Sequence, residues 1–184
     1  MPSRRSFSLA LPAALLAPHA AQAQSLLALM APGPLPEKIF GSETAKVTVI
    51  EYASLTCHHC MNFHLKTWPA LKAKYVDAGK VRFVIREFPL DPLATAGFML
   101  ARCAGDDKWY DMIDLLYRTS ENWAHSSTPA VALFETVMGA GFSRENFESC
   151  LQDDALLGKV QKVAEIASRE YGVQSTPTFF VNGQ

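Results

Sequence analysis

The clearest pattern along the chain begins at "VTVIEYAS", Val47 to Ser54. Its β-branched and aromatic residues, bounded by polar ones, predict a buried strand. Behind it Cys60, His64, Trp68, Leu71 and Tyr75 recur at intervals of three and four. That is the spacing of one helix face, with Thr56 placed to cap it. Pro69 lies inside the pattern, which runs on past it, so a kink is expected there rather than an end. "GKVRFVIREFP" starts on a glycine turn and alternates into a second strand, completing a β-α-β unit of the length a parallel crossover needs. From Asp91 to about Leu151 the periodicity is helical, in short segments broken at Gly105, Pro129 and Gly141. A longer helix follows, with Leu156, Val160, Val163, Ala164, Ala167 and Tyr171 on one face and Gly172 at the cap position. "VQSTPTFFVNG" adds a third strand and an Asn182-Gly183 hairpin turn.

Ahead of the first strand, "APGPLPEKIFGSETAK" is rich in Pro and Gly and reads as an extended arm over residues 24–46. The chain opens with Arg4 and Arg5, a short apolar run from Leu9 to Ala17, and the small-x-small site Ala21-Gln22-Ala23. Residues 1–23 are therefore read as a cleaved export signal, because the apolar run is shorter than the roughly 20 residues that span a bilayer. An uncleaved anchor running on through "SLLALMA" is the alternative. Ser3-Arg4-Arg5-Ser6-Phe7 also resembles a twin-arginine export signal, against the plainer reading of an ordinary secretory start. Either way the expected location is the periplasm.

Composition narrows the function classes. The 184 residues are 49% hydrophobic and 19% charged, as expected of one globular domain with room for an insertion. Lys and Arg number 17 against 18 Asp and Glu, for a formal net charge of −1. No sign of charge dominates, which excludes broad electrostatic capture of nucleic acid or an anionic membrane.

The candidate chemistry lies in "SLTCHHCMNF", where Cys57 and Cys60 enclose His58 and His59 at the strand-to-helix junction. A thiolate is the reactive form of cysteine, and its pKa falls at a helix N-terminus or beside a cationic imidazole. Cys57 is placed for both, with His58 and His59 as candidate donors. Cys60, one turn along, is expected to be more buried, so Cys57 attacks or is attacked and Cys60 resolves. A c-type haem site needs histidine directly after the second cysteine, where Met61 stands. A zinc site would use Cys57, Cys60, His64 and one of His58 or His59, but no second cluster completes the usual spacing, so no metal is expected. A purely structural Cys57–Cys60 bridge closes too short a loop to stabilise much.

"VTVIEYASLTCHHCMNFH" together with "STPTFFVNG" resembles the DsbA-type thiol:disulfide interchange proteins, over about Glu37 to Gln184. The resemblance implies an α/β, thioredoxin-like fold with an all-helical insertion. Residues 47–90 and 152–184 would form the thioredoxin-like domain and 91–151 the insert. The Asn182-Gly183 turn predicts a partner strand that the chain does not reach, so either a C-terminal strand and helix are missing from this chain or the fold is unusually short, and the reading frame is expected to continue past Gln184. By the same resemblance, Thr176-Pro177 is a cis peptide facing the cysteines that binds extended substrate, with an ordinary trans proline as the alternative. Glu51 looks like the family's buried acid beneath the site, able to relay the proton of Cys60; its alternative is a solvated strand residue. His58 stands where the family commonly has proline, which puts the oxidising strength in doubt. With the Cys57–Cys60 pair local, Cys103 and Cys150 are left as a second, structural bridge, or as two separate buried cysteines. Trp123 and His125 are read as surface loop, with a groove border as the alternative. Phe98, Met99, Trp109, Met112, Phe134 and Met138 are read as core.

The expected function is oxidation of cysteine pairs in exported proteins, without metal or organic cofactor, by a monomer. Re-oxidation by a membrane quinone-linked partner is implied by the resemblance alone. The alternatives are a reductase or isomerase of the same fold, and a non-enzymatic peptide- or metal-binding module.

Overall fold

The computed structural model describes residues 27–184. The expected export signal lies outside them. Four strands form one mixed sheet in the order β1-β3-β2-β4. At its centre, β2 (Val47–Ala53) and β3 (Val81–Glu87) run parallel, with Val47 opposite Val81 and Ala53 opposite Glu87. Both become buried on the two faces toward their C-terminal ends, where a sheet covered on both sides carries no solvent-facing alternation. β4 (Thr178–Val181) pairs antiparallel with β2 and ends in the expected two-residue turn, Asn182 and Gly183 both taking positive φ.

The arm departs from the sequence reading. Lys38–Phe40 forms β1, antiparallel to β3. Three residues are too few to show a period, and this strand exists because β3 offers it an edge. Two buried arginines fasten the rest of the arm. Arg86 donates to the carbonyls of Leu29 and Ala31, to the Tyr52 hydroxyl and to the Glu37 carboxylate. Arg102 donates to the Pro36 carbonyl and pairs with buried Glu87.

The crossover between β2 and β3 is a single rod. α1 (His58–Asn62) passes through a π-helical turn at Phe63–Thr67 into α2 (Trp68–Leu71), and a second π turn follows at Lys72–Val76. Pro69 has no N–H to return to the preceding turn. The wider winding just before it, closed by the Trp68 N–H on the Phe63 carbonyl, accommodates this without ending the rod. Each π turn also advances the buried face by one position. Cys60, His64 and Trp68 point inward as the spacing predicts, but Val76 replaces Tyr75, which is 39% exposed.

Between β3 and β4 lie six α-helices, α3 (Pro92–Cys103), α4 (Trp109–Arg118), α5 (Ser120–Trp123), α6 (Pro129–Met138), α7 (Arg144–Leu151) and α8 (Asp154–Tyr171), with a 3-10 turn at Asp106–Lys108 leading into α4. Asp91, Ser143 and Asp153 cap α3, α7 and α8, each accepting a backbone N–H with its side chain. Gly172 ends α8 with φ +70°, a conformation costly for any residue with a Cβ. Phe98, Met99, Trp109 and Met112 are core, Phe134 is half-buried, and Met138 is exposed. Trp123 is fully buried and donates its indole N–H to the Leu116 carbonyl, so it is core rather than loop surface. Cys103 and Cys150 are joined by a disulfide that ties α3 to α7.

Candidate active site

β2 delivers the chain to the site, and Ser54, fully buried, follows its last residue. The helix cap is not Thr56. Cys57 itself holds the capping position in an extended conformation, and its sulfur accepts the Cys60 backbone N–H at 3.4 Å. Thr56 instead donates its hydroxyl to Asp91, the residue that caps α3. A sulfur at the cap faces the unpaired N–H groups of the first turn, and these favour its anion.

Cys57 and Cys60 are free thiols of unlike surroundings: Cys57 is half-buried, Cys60 only 1% exposed. Burial pushes the Cys57 thiol up. The side chain of Thr176, the N–H and side chain of Cys60 and the N–H of His59 together outweigh it and hold the thiol below its usual range. Burial dominates at Cys60 and raises its thiol far above the ordinary value. A proton in the reduced pair therefore rests on Cys60, and the negative charge on Cys57.

Thr176–Pro177 is a cis peptide. The Thr176 carbonyl lies 3.2 Å from the Cys57 sulfur, on the far side of 119 residues of chain, and accepts the thiol hydrogen when Cys57 is neutral. The Thr176 hydroxyl is buried and forms no well-shaped hydrogen bond among the described residues. Its dipole acts on both sulfurs, lowering each.

Glu51 sits in β2 opposite Ile85 and Phe179 and is buried. Burial first, and the negative charge of Cys57 second, push its carboxyl up to about 8, so it is a neutral acid at pH 7. The rings of His58 and His59 are exposed, and their ring centroids are 6.2 Å apart. What this dipeptide contributes to Cys57 is the backbone N–H of His59.

Two further residues lie near the sulfurs, His64 on the helix face that the spacing predicts and Tyr117 with no signal in the sequence pattern. His64, one turn beyond Cys60, is buried with its Nε2 3.1 Å from Asp114, whose carboxylate also accepts from Arg118. Tyr117, from α4, reaches the Ser54 carbonyl with its hydroxyl. Both look like ordinary amphipathic positions until the insert is docked. Among the described residues no cluster of His, Cys, Asp and Glu is arranged to hold a metal. A cavity of about 640 Å³ between Cys103, Met112, Phe142 and Asp153 lies in the insert and does not include the cysteine pair.

Residues 35–184 match the family model described as "Thioredoxin". A Rickettsia typhi protein provisionally named a protein-disulfide oxidoreductase is 31% identical over 148 residues, which are 80% of this chain and 55% of that protein. The chain thus spans about half the length of the curated relatives it matches. Among solved structures, Wolbachia pipientis alpha-DsbA1 superposes with a TM-score of 0.75 at 29% identity, covering 84% of this chain and 78% of that one. Oxidised BdbD from Bacillus subtilis shares the fold, with a TM-score of 0.69 at 18% identity over 80% of this chain and 82% of that one. The sheet order, the helical insert and the paired cysteines at a helix start, together with these matches, show that the chain belongs to the thioredoxin family, in its DsbA-type form.

Proposed function

We propose that the chain is an exported thiol:disulfide oxidoreductase that introduces disulfides into other exported proteins through Cys57 and Cys60. The observation that carries this reading is the opposed environment of the two sulfurs. Cys57 is half-open, capped by N–H groups and lowered, while Cys60 is sealed and raised. A stabilised Cys57 thiolate favours the reduced pair, and a pair that prefers to be reduced is an oxidant toward its substrates.

The exchange runs in two displacements. A substrate thiolate attacks the Cys57 sulfur of the Cys57–Cys60 disulfide; a bond forms between substrate and Cys57, and Cys60 leaves with the electron pair. Burial disfavours that anion, and Glu51, buried in the strand that leads to the site and neutral near pH 7, is the acid assigned to supply its proton. A second substrate thiolate then attacks the substrate sulfur of the mixed disulfide, and Cys57 departs as the stabilised thiolate. The substrate loses two electrons and the cysteine pair gains them. Substrate backbone pairs with the Thr176 carbonyl beside Cys57, as an added strand. Recycling needs an external oxidant, for which a membrane quinone-linked partner is the family's precedent. No metal or organic cofactor takes part in either displacement.

The deciding experiment equilibrates the protein with glutathione buffers while the Cys103–Cys150 pair is followed separately. A reduction potential near about −120 mV supports the oxidase, and one near about −270 mV makes the protein an electron donor instead. Export is tested by N-terminal sequencing of protein recovered from the producing cell. A mature start at Gln24 supports it, and an intact Met1 in the cytosol removes it.

A further inference from the structure

Tyr117 is a buried titratable group, close to both sulfurs, that the exchange steps leave unassigned. It is 4% exposed, and its hydroxyl donates to the Ser54 carbonyl at 3.2 Å across 63 residues of chain. That carbonyl also accepts the Cys57 backbone N–H, at 3.2 Å. Ser54 is a buried hub besides: its hydroxyl oxygen accepts the Leu90 N–H and pairs with Thr56, and its own N–H faces the Cys60 sulfur. One carbonyl therefore joins the insert to the turn that carries the reactive cysteine. The Tyr117 ring is held independently of its hydroxyl, packed against His64, one turn beyond Cys60, with ring centroids 4.8 Å apart and the planes tilted by 34°. Burial first, and then Cys60, Glu51 and Cys57, whose anions would repel a phenolate, keep the phenol protonated throughout the working range, so toward the Ser54 carbonyl, which can only accept, it is the donor.

We propose that Tyr117 is a positioning residue for disulfide exchange: its hydroxyl, reaching from the helical insert, fixes the Ser54 carbonyl and thereby the turn from which Cys57 and Cys60 are presented. This rests on the exchange role assigned to the two cysteines. A thiolate at Cys57 depends on the aim of the N–H groups around it, and the Ser54–Cys57 turn sets that aim. Removing the hydroxyl leaves the carbonyl with a single donor and slackens the turn. The reduced, anionic form then loses more than the disulfide form does.

The test is Tyr117→Phe, which keeps the ring on His64. The ultraviolet titration of the Cys57 thiolate should move to higher pH. The equilibrium with glutathione should shift about fivefold toward the disulfide, the size of one net hydrogen bond. A folded variant in which both are unchanged overturns the proposal. Where Tyr117→Phe does not fold, fluorotyrosine placed at position 117 decides. Being a stronger donor of the same shape, it should move the thiolate titration to lower pH, with a fluorine resonance that differs between oxidised and reduced protein. No movement in either overturns the proposal. The parent protein separates the two ideas. If it does not exchange with glutathione, the oxidoreductase reading fails, while the thiolate titration still decides the part played by Tyr117.

Discussion

At the scale of single residues, the site works by giving two identical thiols different surroundings. Cys57→Ser should abolish exchange altogether. Cys60→Ser should leave a mixed disulfide on Cys57 that persists, because the internal nucleophile is gone; trapping with a model thiol and mass analysis reads both. Glu51 carries a cost that depends on pH. Its carboxyl titrates near 8 when folded against an ordinary 4.5, so the folded state holds a proton that the unfolded state releases. A raised carboxyl contributes no penalty below pH 4.5, and the stability of the reduced protein should fall as pH rises from 4.5 to 8, by on the order of 5 kcal/mol in total. Denaturant unfolding across that range should show this slope in the parent and not in Glu51→Gln. Cys57 and Cys60 were legible from their spacing alone, and so was the difference in burial between them. The rings of His58 and His59 are exposed, and the group of this dipeptide that lowers the Cys57 thiol is the backbone N–H of His59.

At the scale of elements, the insert is bonded to the active-site turn, and does not merely lie beside it. Asp91 caps α3 with one carboxylate oxygen, through the Ala94 N–H, and takes the Thr56 hydroxyl with the other. Asp91→Ala should lower stability by about 1 kcal/mol for the cap. It should also raise the Cys57 thiolate titration, since Thr56 precedes that cysteine; Asp91→Asn, whose single amide oxygen can still accept the Ala94 N–H but whose NH2 cannot accept the Thr56 hydroxyl, should restore the cap and not the titration. The rod between β2 and β3 shows why periodicity places most of a helix but not all of it. Cys60, His64 and Trp68 follow the expected face, and the π turns on either side of α2 then shift it, because each adds a residue without changing the sequence pattern that a reader sees. β1 was invisible for a related reason: a three-residue strand is made by its partner, not by its own composition.

At the scale of the whole molecule, three kinds of long-range tie hold the fold. The Cys103–Cys150 disulfide closes a loop of 47 residues between α3 and α7. Replacing both cysteines by alanine should cost about 4 kcal/mol in the chain-entropy account, read by thermal or denaturant unfolding, with the glutathione equilibrium of Cys57–Cys60 followed as a separate quantity. Arg86 and Arg102 bind the arm to the sheet through backbone carbonyls and buried carboxylates. The third tie is the β-turn and strand at the end of the described chain, which bring Thr176 beside Cys57.

The sequence by itself determined the strand-to-helix junction, the cysteine pair at its start, the parallel crossover, the helix end at Gly172 and the final turn. All of these are set by local propensity and by periods of two and of three to four residues. Only the tertiary structure decided that Cys57 rather than Thr56 caps the helix, that Thr176 and Tyr117 meet the site, and that Glu51 holds a proton at neutral pH. Those outcomes depend on desolvation and on groups brought together across 63 and 119 residues of chain, and no local pattern encodes such distances.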